Sequence, residues 1–486
     1  MRFIGNKQCL LGVAVAAALF SFIPASSAQP TSGVVSDTPS PFKYDVSLRA
    51  RYEHADWIGA LATDRQYGFG HSKLLFGAGY TVDSFRFYAQ GQYFQLYNLP
   101  DGAVGPGAVY YLTNGAEENP GMVSLRQAFI EWKNSDIDLV AGRFLYSNGS
   151  EAMPLQPTLA SLRSKRIAQR LIGPFDFTAG RSFDGARIIA PTSLGAFTAA
   201  YVMPTQGGFE VDLNLTIWDV RVPVVSWTAP FATESGSRDD VQIFAYGYSD
   251  DRSVLKTDNR PLDVRTADTD EIDIATVGAH WIHLWTIGDT QIDTLLWGAG
   301  QAGDWGEDTH RAYTFTAEIG VRSQALAWKP GLRIGYTYGS GDDDALDGDH
   351  ETFFQMLPTA RAYAATPFYN MQNMADFFLQ ITAQPLQPLT LKSELHYLQL
   401  AQSADLFYSG AGANERHNRF GYAGAASGGF DDVGTLLDIE ATWNFTPHIA
   451  ATIYYGHLFG SSAAKAAAVG GDDDIDYVFG EVVFKY

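Results

Sequence analysis

Charged side chains recur at every second position in several segments of the chain. Arg49 and Arg51 alternate with apolar residues, and Arg322 and Arg333 do the same in two later segments. Arginine stays charged at physiological pH, and its planar fork of donors matches a carboxylate in two parallel hydrogen bonds. A row of such residues is therefore suited to bind an anion, or to form ion pairs with acidic residues nearby.

The same alternation predicts a polar face that carries both signs of charge. The charged positions predicted for this face are Arg49, Arg51, Arg86, Glu318, Arg322, Arg333, Lys392, Glu394 and Glu440. Two interpretations stay open at this point. The set selects an anionic solute, or its members are ordinary ion pairs that stabilise the structure.

An acidic segment is a weak candidate for a metal site. Asp342, Asp344, Asp347 and Asp349 offer the carboxylate oxygens that calcium prefers. The full spacing of a calcium loop, with a glutamate at its far end, is missing. We therefore expect a solvated acidic loop, and we predict neither a bound metal nor a cofactor.

Catalytic groupings are also weak in this sequence. A hydrolase needs a nucleophile and a base close together, and no such combination of histidine, serine and acid stands out. His396, beside Glu394 and Lys392, is the one candidate for testing. Residues two apart on a strand share a face, so a charged row is the simpler interpretation. We predict that the chain is not an enzyme.

Strands with two different faces position these residues. Strict alternation of apolar and polar side chains covers Asp45–Glu53, Tyr313–Arg322, Leu332–Tyr338 and the last nine residues, Val478–Tyr486. Such alternation over eight to ten residues is typical of a half-buried β-strand. In a sandwich the charged face meets water outside, whereas in a membrane barrel it lines the interior. Alternation alone does not separate the two architectures.

The two ends of the chain favour the barrel. Arg2 and Lys7 precede the apolar stretch Leu10–Ile23, and the small residues Ser26–Ala28 follow it, as in a secretory signal peptide. The last strand ends on an aromatic residue, as outer-membrane barrels do. We predict a signal peptide at 1–28, a flexible lead-in at 29–41 and a single outer-membrane β-barrel domain at 42–486.

Composition agrees with this all-β prediction. Hydrophobic residues make up 46% of the chain, yet the mean hydropathy is only −0.10, and no later run is long enough for a transmembrane helix. Short turns such as Lys329–Gly331 and Thr446–His448 alternate with long links such as 340–374 and 402–434. We predict 16 to 20 antiparallel strands, with 18 preferred, joined by short periplasmic turns and long acidic extracellular loops. A net charge of −21 argues against nucleic acid as a partner.

Several segments resemble one family of outer-membrane channels. The paired segments Arg126–Trp132 and Leu139–Arg143, and then Arg181–Gly185, resemble the alginate export family. The segments Arg333–Asp342 and Phe354–Thr359 strengthen the likeness, which extends loosely from about residue 45 to the end of the chain. No single motif is specific, and their order along the chain carries the resemblance.

The resemblance implies an 18-stranded monomeric barrel with an arginine-rich constriction. By their positions in the matching motifs, it adds Arg126 and Arg143 to the predicted interior residues. It implies a channel that passes an anionic, alginate-like polysaccharide by passive diffusion, with outer-membrane lipid around it and periplasmic delivery proteins as further partners. The chain departs from the alginate exporter in its loop lengths and in many interior positions. An uptake porin for small organic solutes therefore remains the alternative.

Overall fold

The computed structural model describes residues 41–59, 64–232, 238–359, 364–410, 420–469 and 471–486. The predicted signal peptide and most of the predicted lead-in lie outside these ranges. No helix within them combines the length and the apolar character that crossing a membrane requires.

Strands dominate the described residues. In chain order they are β1 (Phe42–Asp56), β2 (Gln66–Val82), β3 (Phe85–Tyr97), β4 (Gly121–Lys133), β5 (Asp138–Phe144), β6 (Phe183–Thr192), β7 (Gly195–Pro204), β8 (Val220–Ala232), β9 (Arg238–Asp250), β10 (Ile272–Ile287), β11 (Thr290–Trp305), β12 (Asp308–Ser323), β13 (Gly331–Gly339), β14 (Asp349–His350), β15 (Met374–Leu386), β16 (Leu389–Leu400), β17 (Leu406–Gly410), β18 (Tyr422–Ala426), β19 (Asp432–Thr446), β20 (Ile449–Gly460) and β21 (Ile475–Lys485). Strands β17 and β18 form a separate hairpin, and the two-residue β14 lies beside β12. The remaining 18 strands form one closed antiparallel barrel, which confirms the predicted fold.

The barrel closes between its first and last strands. Strand β1 pairs with β21, and Val46 and Tyr486 exchange backbone hydrogen bonds of 3.0 and 2.8 Å. The rings of Tyr44 and Tyr486 stack with centroids 5.9 Å apart. The final strand is thus part of the sheet, as the alternation of its residues predicts.

The two faces of the strands differ as the alternation predicts. Large apolar side chains such as Phe76, Val123 and Ile453 are exposed on the outside. Charged side chains such as Arg126 and Glu318 are buried on the inside. A wall with apolar residues outside and polar residues inside suits a barrel in lipid, where the backbone is satisfied between strands.

The connections at the two ends of the barrel are unequal. At the end of the barrel where β1 begins and β21 ends, the turns are short, for example Gly288–Asp289 between β10 and β11. At the opposite end lie the long links 145–182, 340–373 and 401–431, and one short turn, Gly306–Glu307. The links at this end also contain the short helices α1 (Pro106–Thr113), α2 (Pro157–Leu162), α3 (Leu262–Ala267) and α4 (Ser462–Ala467). Helix α2, in link 145–182, continues as a π-helix over Arg163–Ile167.

Two of the long links fold into the barrel and contact each other. We name them loop 145–182 and loop 340–373. Ile172 and Leu357 form a parallel bridge, supported by hydrogen bonds from Leu357 N to Leu171 O (2.9 Å) and from Gly173 N to Leu357 O (2.8 Å). Ile172 and Leu357 are fully buried. The loops therefore form a shared apolar core inside the barrel.

Candidate functional site

Loop 145–182 crosses the interior of the barrel. Its later part contacts β1, β2 and β4 through Asp176 and Thr178. Its earlier part contacts β9 through Arg163 and β12 through Arg166 and Arg170. Strands β1 to β4 and strand β12 lie on different sides of the closed sheet, so the loop spans the interior from one wall to the other.

The wall formed by β1, β2 and β4 is basic where it meets this loop. Arg126 Nη2 donates to Asp176 Oδ1 at 2.8 Å, and Lys73 forms an ion pair with the same oxygen. Arg49 donates to the carbonyls of Asp176 and Thr178, at 2.8 and 2.9 Å. The positive charges of Arg126, Lys73 and Arg49 hold the pKa of the Asp176 carboxyl below its usual value. The wall therefore binds a carboxylate that the protein itself supplies.

Arg51 lies beside this group and is held differently. Its guanidinium is 3.4 Å from the centroid of the Phe177 ring and 4.4 Å from that of Phe479. It also donates to Glu481 at 2.5 Å and lies 3.7 Å from Glu53. Aromatic faces and carboxylates thus fix its position, and Phe177 adds a second contact between the loop and the wall.

Glu318 is the centre of the opposite, acidic wall. Its carboxylate accepts from Arg166 of the loop at 2.9–3.1 Å and lies 3.4 Å from Arg170. Arg333 on β13 donates to it at 3.1 Å and to Asp293 at 2.6 Å. The loop therefore offers a carboxylate to the basic wall and arginines to the acidic wall, so both walls hold it by charge.

Three of the predicted cations lie toward the end with the short turns. Arg86 contacts Glu131 at 3.1 Å and its side chain is 45% exposed. Arg322 is exposed and shares the inner face of β12 with Glu318. Lys392 lies 2.8 Å from Glu394 and 3.9 Å from Glu440. These side chains face the interior and retain contact with solvent.

Arg143 does not face the interior, so the prediction for this residue is wrong. It lies three positions from the buried Val140, on the other face of β5, and pairs with Asp184 at 2.7 Å. Strand β5 ends at residue 144 and pairs only with residues 128–133 of β4. The rest of β4, toward the end with the long links, has no paired strand on that side among the described residues. Arg143 donates to the carbonyls of Leu125 and Leu213, at 3.2 and 3.1 Å. It thus fills a gap in the wall, in an outward pocket of about 560 Å³ that Leu125 also lines.

The acidic segment considered for calcium makes local contacts. Asp342 accepts from the backbone N–H of Asp344, Asp344 from that of Leu346, and Asp347 from that of Asp349. These are turn contacts within the segment. Among the described residues, the structure does not group these four carboxylates as metal ligands.

Loop residues are the part of the site that the alternation of strand residues misses. Arg163, Arg166, Arg170 and Asp176 all contact the walls, and none lies on a barrel strand. A signal was present in the sequence, since the basic run from Arg163 to Arg170 interrupts an otherwise acidic chain. Such a run in a long link indicates a segment that needs acidic partners.

Comparison with known proteins identifies the family. A family model described as alginate export matches residues 40–474. The chain belongs to the alginate export family. As a member of the alginate export family with this fold, it is an outer-membrane channel. No curated relative matches the chain in sequence.

Solved structures share the fold of this alginate export family member. The structure of OpdK with vanillate, from Pseudomonas aeruginosa, has a TM-score of 0.55 at 12% identity and covers 92% of this chain and 98% of its own. OccK2 (OpdF) of the same organism gives 0.56 at 12% identity, covering 91% and 97%. OccAB2 of Acinetobacter baumannii gives 0.57 at 9% identity, covering 92% and 98%. At this identity the likeness concerns the fold alone.

Proposed function

We propose that this channel passes an anionic, alginate-like polysaccharide by passive diffusion. The observation that carries the proposal is the binding of the Asp176 carboxylate between Arg126 and Lys73. A uronate sugar presents the same chemical group, and Arg49 lies beside it. When loop 145–182 withdraws, the carboxylates of the polymer take the place of Asp176 in turn. Membership of the alginate export family supports this choice of substrate.

Passage requires that each contact be weak enough to break. Acidic residues stand beside most interior cations, for example Glu481 beside Arg51 and Glu318 beside Arg333. They offset part of the positive charge, so a bound uronate is not held too tightly. The exposed cations Arg86 and Arg322 and the partly exposed Lys392 attract the polymer at the periplasmic side. In this proposal the eleven predicted residues, except Arg143, line the path.

The test is single-channel current of the refolded protein in a planar bilayer. We expect oligouronates to block the current more strongly than neutral oligosaccharides of equal length. Arg126→Gln weakens this block, because the side chain contacts the carboxylate site directly. Arg221→Gln serves as the control, since its ion pair with Asp251 is half-exposed and away from this site. Equal block by acidic and neutral sugars contradicts the proposal.

A second function is supported by the two inward loops. Loops 145–182 and 340–373 contact each other inside the barrel and narrow its interior. A narrow path suits the uptake of small organic solutes, and a porin of similar fold, OpdK, has been solved with vanillate. Conduction of small organic anions without any block by oligouronates would favour this alternative.

A further inference from the structure

Three potential metal ligands converge on the inner wall. Glu394 and His396 lie on β16 and Asp438 lies beside them on β19, and all three are buried. One ligand atom from each lies within 4.8 Å of the other two. Within the described part of the chain, this is the one group of three such residues that the structure brings together.

The hydrogen bonds of His396 leave one ring nitrogen free to act as a ligand. Nδ1 lies 3.0 Å from both carboxylate oxygens of Asp376. A carboxylate accepts, so Nδ1 carries a proton, and loss of the proton from Nε2 would leave a lone pair there for a metal ion. Nε2 is buried and has no hydrogen-bond partner among the described residues. A carboxylate behind a histidine is the arrangement that orients metal-binding histidines.

Neighbouring side chains also hold the two carboxylates. Asp438 Oδ1 accepts from the Tyr454 hydroxyl, whereas Oδ2 is buried without a hydrogen-bond partner among the described residues. Glu394 Oε1 accepts from Gln380 at 2.6 Å, and Oε2 forms an ion pair with Lys392. Leaving a buried carboxylate oxygen unpaired is costly. His396 and Asp438 are thus each held through one atom, which leaves the other atom free for a metal ion. Glu394 Oε2 is shared with the Lys392 ammonium.

We propose that Glu394, His396 and Asp438 bind a divalent transition-metal ion of the zinc type. One imidazole nitrogen and two carboxylate oxygens are ligands that zinc accepts, with a fourth position left for water. Ligand atoms at about 2 Å from a tetrahedral zinc are roughly 3.3 Å apart. The proposal requires side-chain rotations that bring the three atoms from within 4.8 Å of one another to this spacing. The proposal stands whichever solute crosses the channel.

Lys392 competes with the ion in this proposal. Its ammonium lies 2.8 Å from Glu394 Oε2, and its second neighbour, Glu440 Oε2, is 3.9 Å away. Binding of a divalent cation repels the ammonium, which then moves to Glu440. Removing the ammonium must therefore strengthen metal binding. An effect in this direction is not expected if the three residues form a purely structural charge network.

The group also lies where the inward loops contact the wall. Tyr369 of loop 340–373 donates to Asp376 at 3.1 Å, and Thr366 contacts the Tyr454 hydroxyl at 2.8 Å. Arg166 of loop 145–182 lies 3.8 Å from Glu394. A bound ion would therefore stabilise the residues to which both loops attach.

The experiment is isothermal titration calorimetry of the refolded barrel with zinc chloride. We expect one saturable site per barrel, weakened about 100-fold or more in His396→Ala. His280→Ala is the matched control, because His280 is also a buried interior histidine with a carboxylate partner, Asp240 at 3.0 Å. Its zinc affinity should equal that of the unchanged protein. Folding of every variant is checked by the heat-dependent mobility of barrels on gels.

Two further variants keep the proposal open to contradiction. Asp438→Asn keeps the shape of the side chain and should weaken zinc binding about 10-fold or more, even if His396→Ala does not fold. Lys392→Met should tighten zinc binding by about 10-fold, the effect of removing one nearby positive charge. The proposal is overturned if the unchanged protein shows no saturable zinc binding. It is also overturned if His396→Ala and Asp438→Asn bind zinc as before, or if Lys392→Met binds it more weakly.

Discussion

Arg126 and Asp176 join the barrel wall to the loop that lies across its interior, through a hydrogen bond of 2.8 Å. The arginine is 2% exposed as a residue, whereas the aspartate side chain is 51% exposed. The fixed partner is thus the cation, and the accessible partner is the carboxylate. A soluble carboxylate can therefore compete for the position of Asp176 without first unfolding the wall.

Removing the loop carboxylate should make the channel more anion-selective. In Asp176→Asn, Arg126, Lys73 and Arg49 lose their shared charged partner and become available to solutes. We expect oligouronate block to strengthen about fivefold, which corresponds to roughly 1 kcal/mol. The measurement is the blocking constant together with the reversal potential in a salt gradient. Asp136→Asn, in an exposed periplasmic turn, is the control, and an unchanged or smaller anion preference in Asp176→Asn would speak against this role.

Glu318 should be the most important carboxylate for the position of loop 145–182. Glu318→Gln leaves Arg166, Arg170 and Arg333 around a neutral side chain that is fully buried. Breaking a buried ion pair in this way costs about 3–5 kcal/mol. The measurement is hydrogen exchange of the loop together with urea unfolding of the barrel.

The matched variant for this test is Glu440→Gln. The Glu440 side chain is 29% exposed and lies 3.9 Å from Lys392, so we expect a cost below about 1 kcal/mol. Equal effects of the two variants on loop exchange would show that Glu318 does not hold the loop.

The pH should control how firmly the described parts of loop 401–431, residues 401–410 and 420–431, are attached to loop 340–373. The Asp342 N–H of that loop donates to Asp405 Oδ2 at 3.1 Å. Burial, and then the charge of Asp405, raises the pKa of Asp342 to about 7, and burial raises the pKa of Asp405 to about 6. The attached loop thus holds protons more tightly than the opened one. The attached state is therefore most stable, relative to the opened state, below the ordinary carboxyl pKa near 4. This stability falls as the pH rises through about 6 to 7.

Hydrogen exchange of residues 401–410 and 420–431 measures this dependence. We expect faster exchange at about pH 8 than at about pH 5, after correction for the intrinsic rate. Asp342→Asn should remove much of the difference, whereas Asp343→Asn, on an exposed neighbour, should retain it. A corrected rate that does not depend on pH in the unchanged protein would exclude this attachment.

Arg143 should matter for stability and not for selectivity. Arg143→Ala removes the donors to the carbonyls of Leu125 and Leu213 and leaves Asp184 without its cation. We expect a loss of about 1–3 kcal/mol in unfolding free energy. The anion preference of the current should not change, because the side chain lies outside the lumen. A clear fall in anion preference would contradict this prediction and indicate that Arg143 lines the transport path.

The sequence predicts the wall well because a strand has a period of two. Arg333 and Glu318 were placed on polar faces by alternation, and both are buried inside the barrel. The position of Arg126 departs from this alternation. A β-bulge places it, without a pairing partner on β3, between the paired residues Leu125 and Gln127. A bulge turns neighbouring side chains to the same face. The family resemblance, and not alternation, therefore identified this residue.

The same resemblance failed at Arg143 for a local reason. The position of its side chain depends on the early end of β5 at Phe144 and on the segment around Leu213 that replaces it. Neither feature has a periodic signal. The contacts of Asp176 were equally hidden, because the part of the link around it shows no pattern that tells whether it folds inward.

The bridge between Ile172 and Leu357 makes the two inward loops a single moving part. Their shared backbone hydrogen bonds lie in an apolar interior, where water does not replace them. Withdrawal of one loop alone would leave the backbone groups of the other loop unpaired in the apolar interior, so we expect the two loops to leave the lumen together. We therefore expect the channel to open in one step, from a state with both loops in the lumen to a state with both loops outside it.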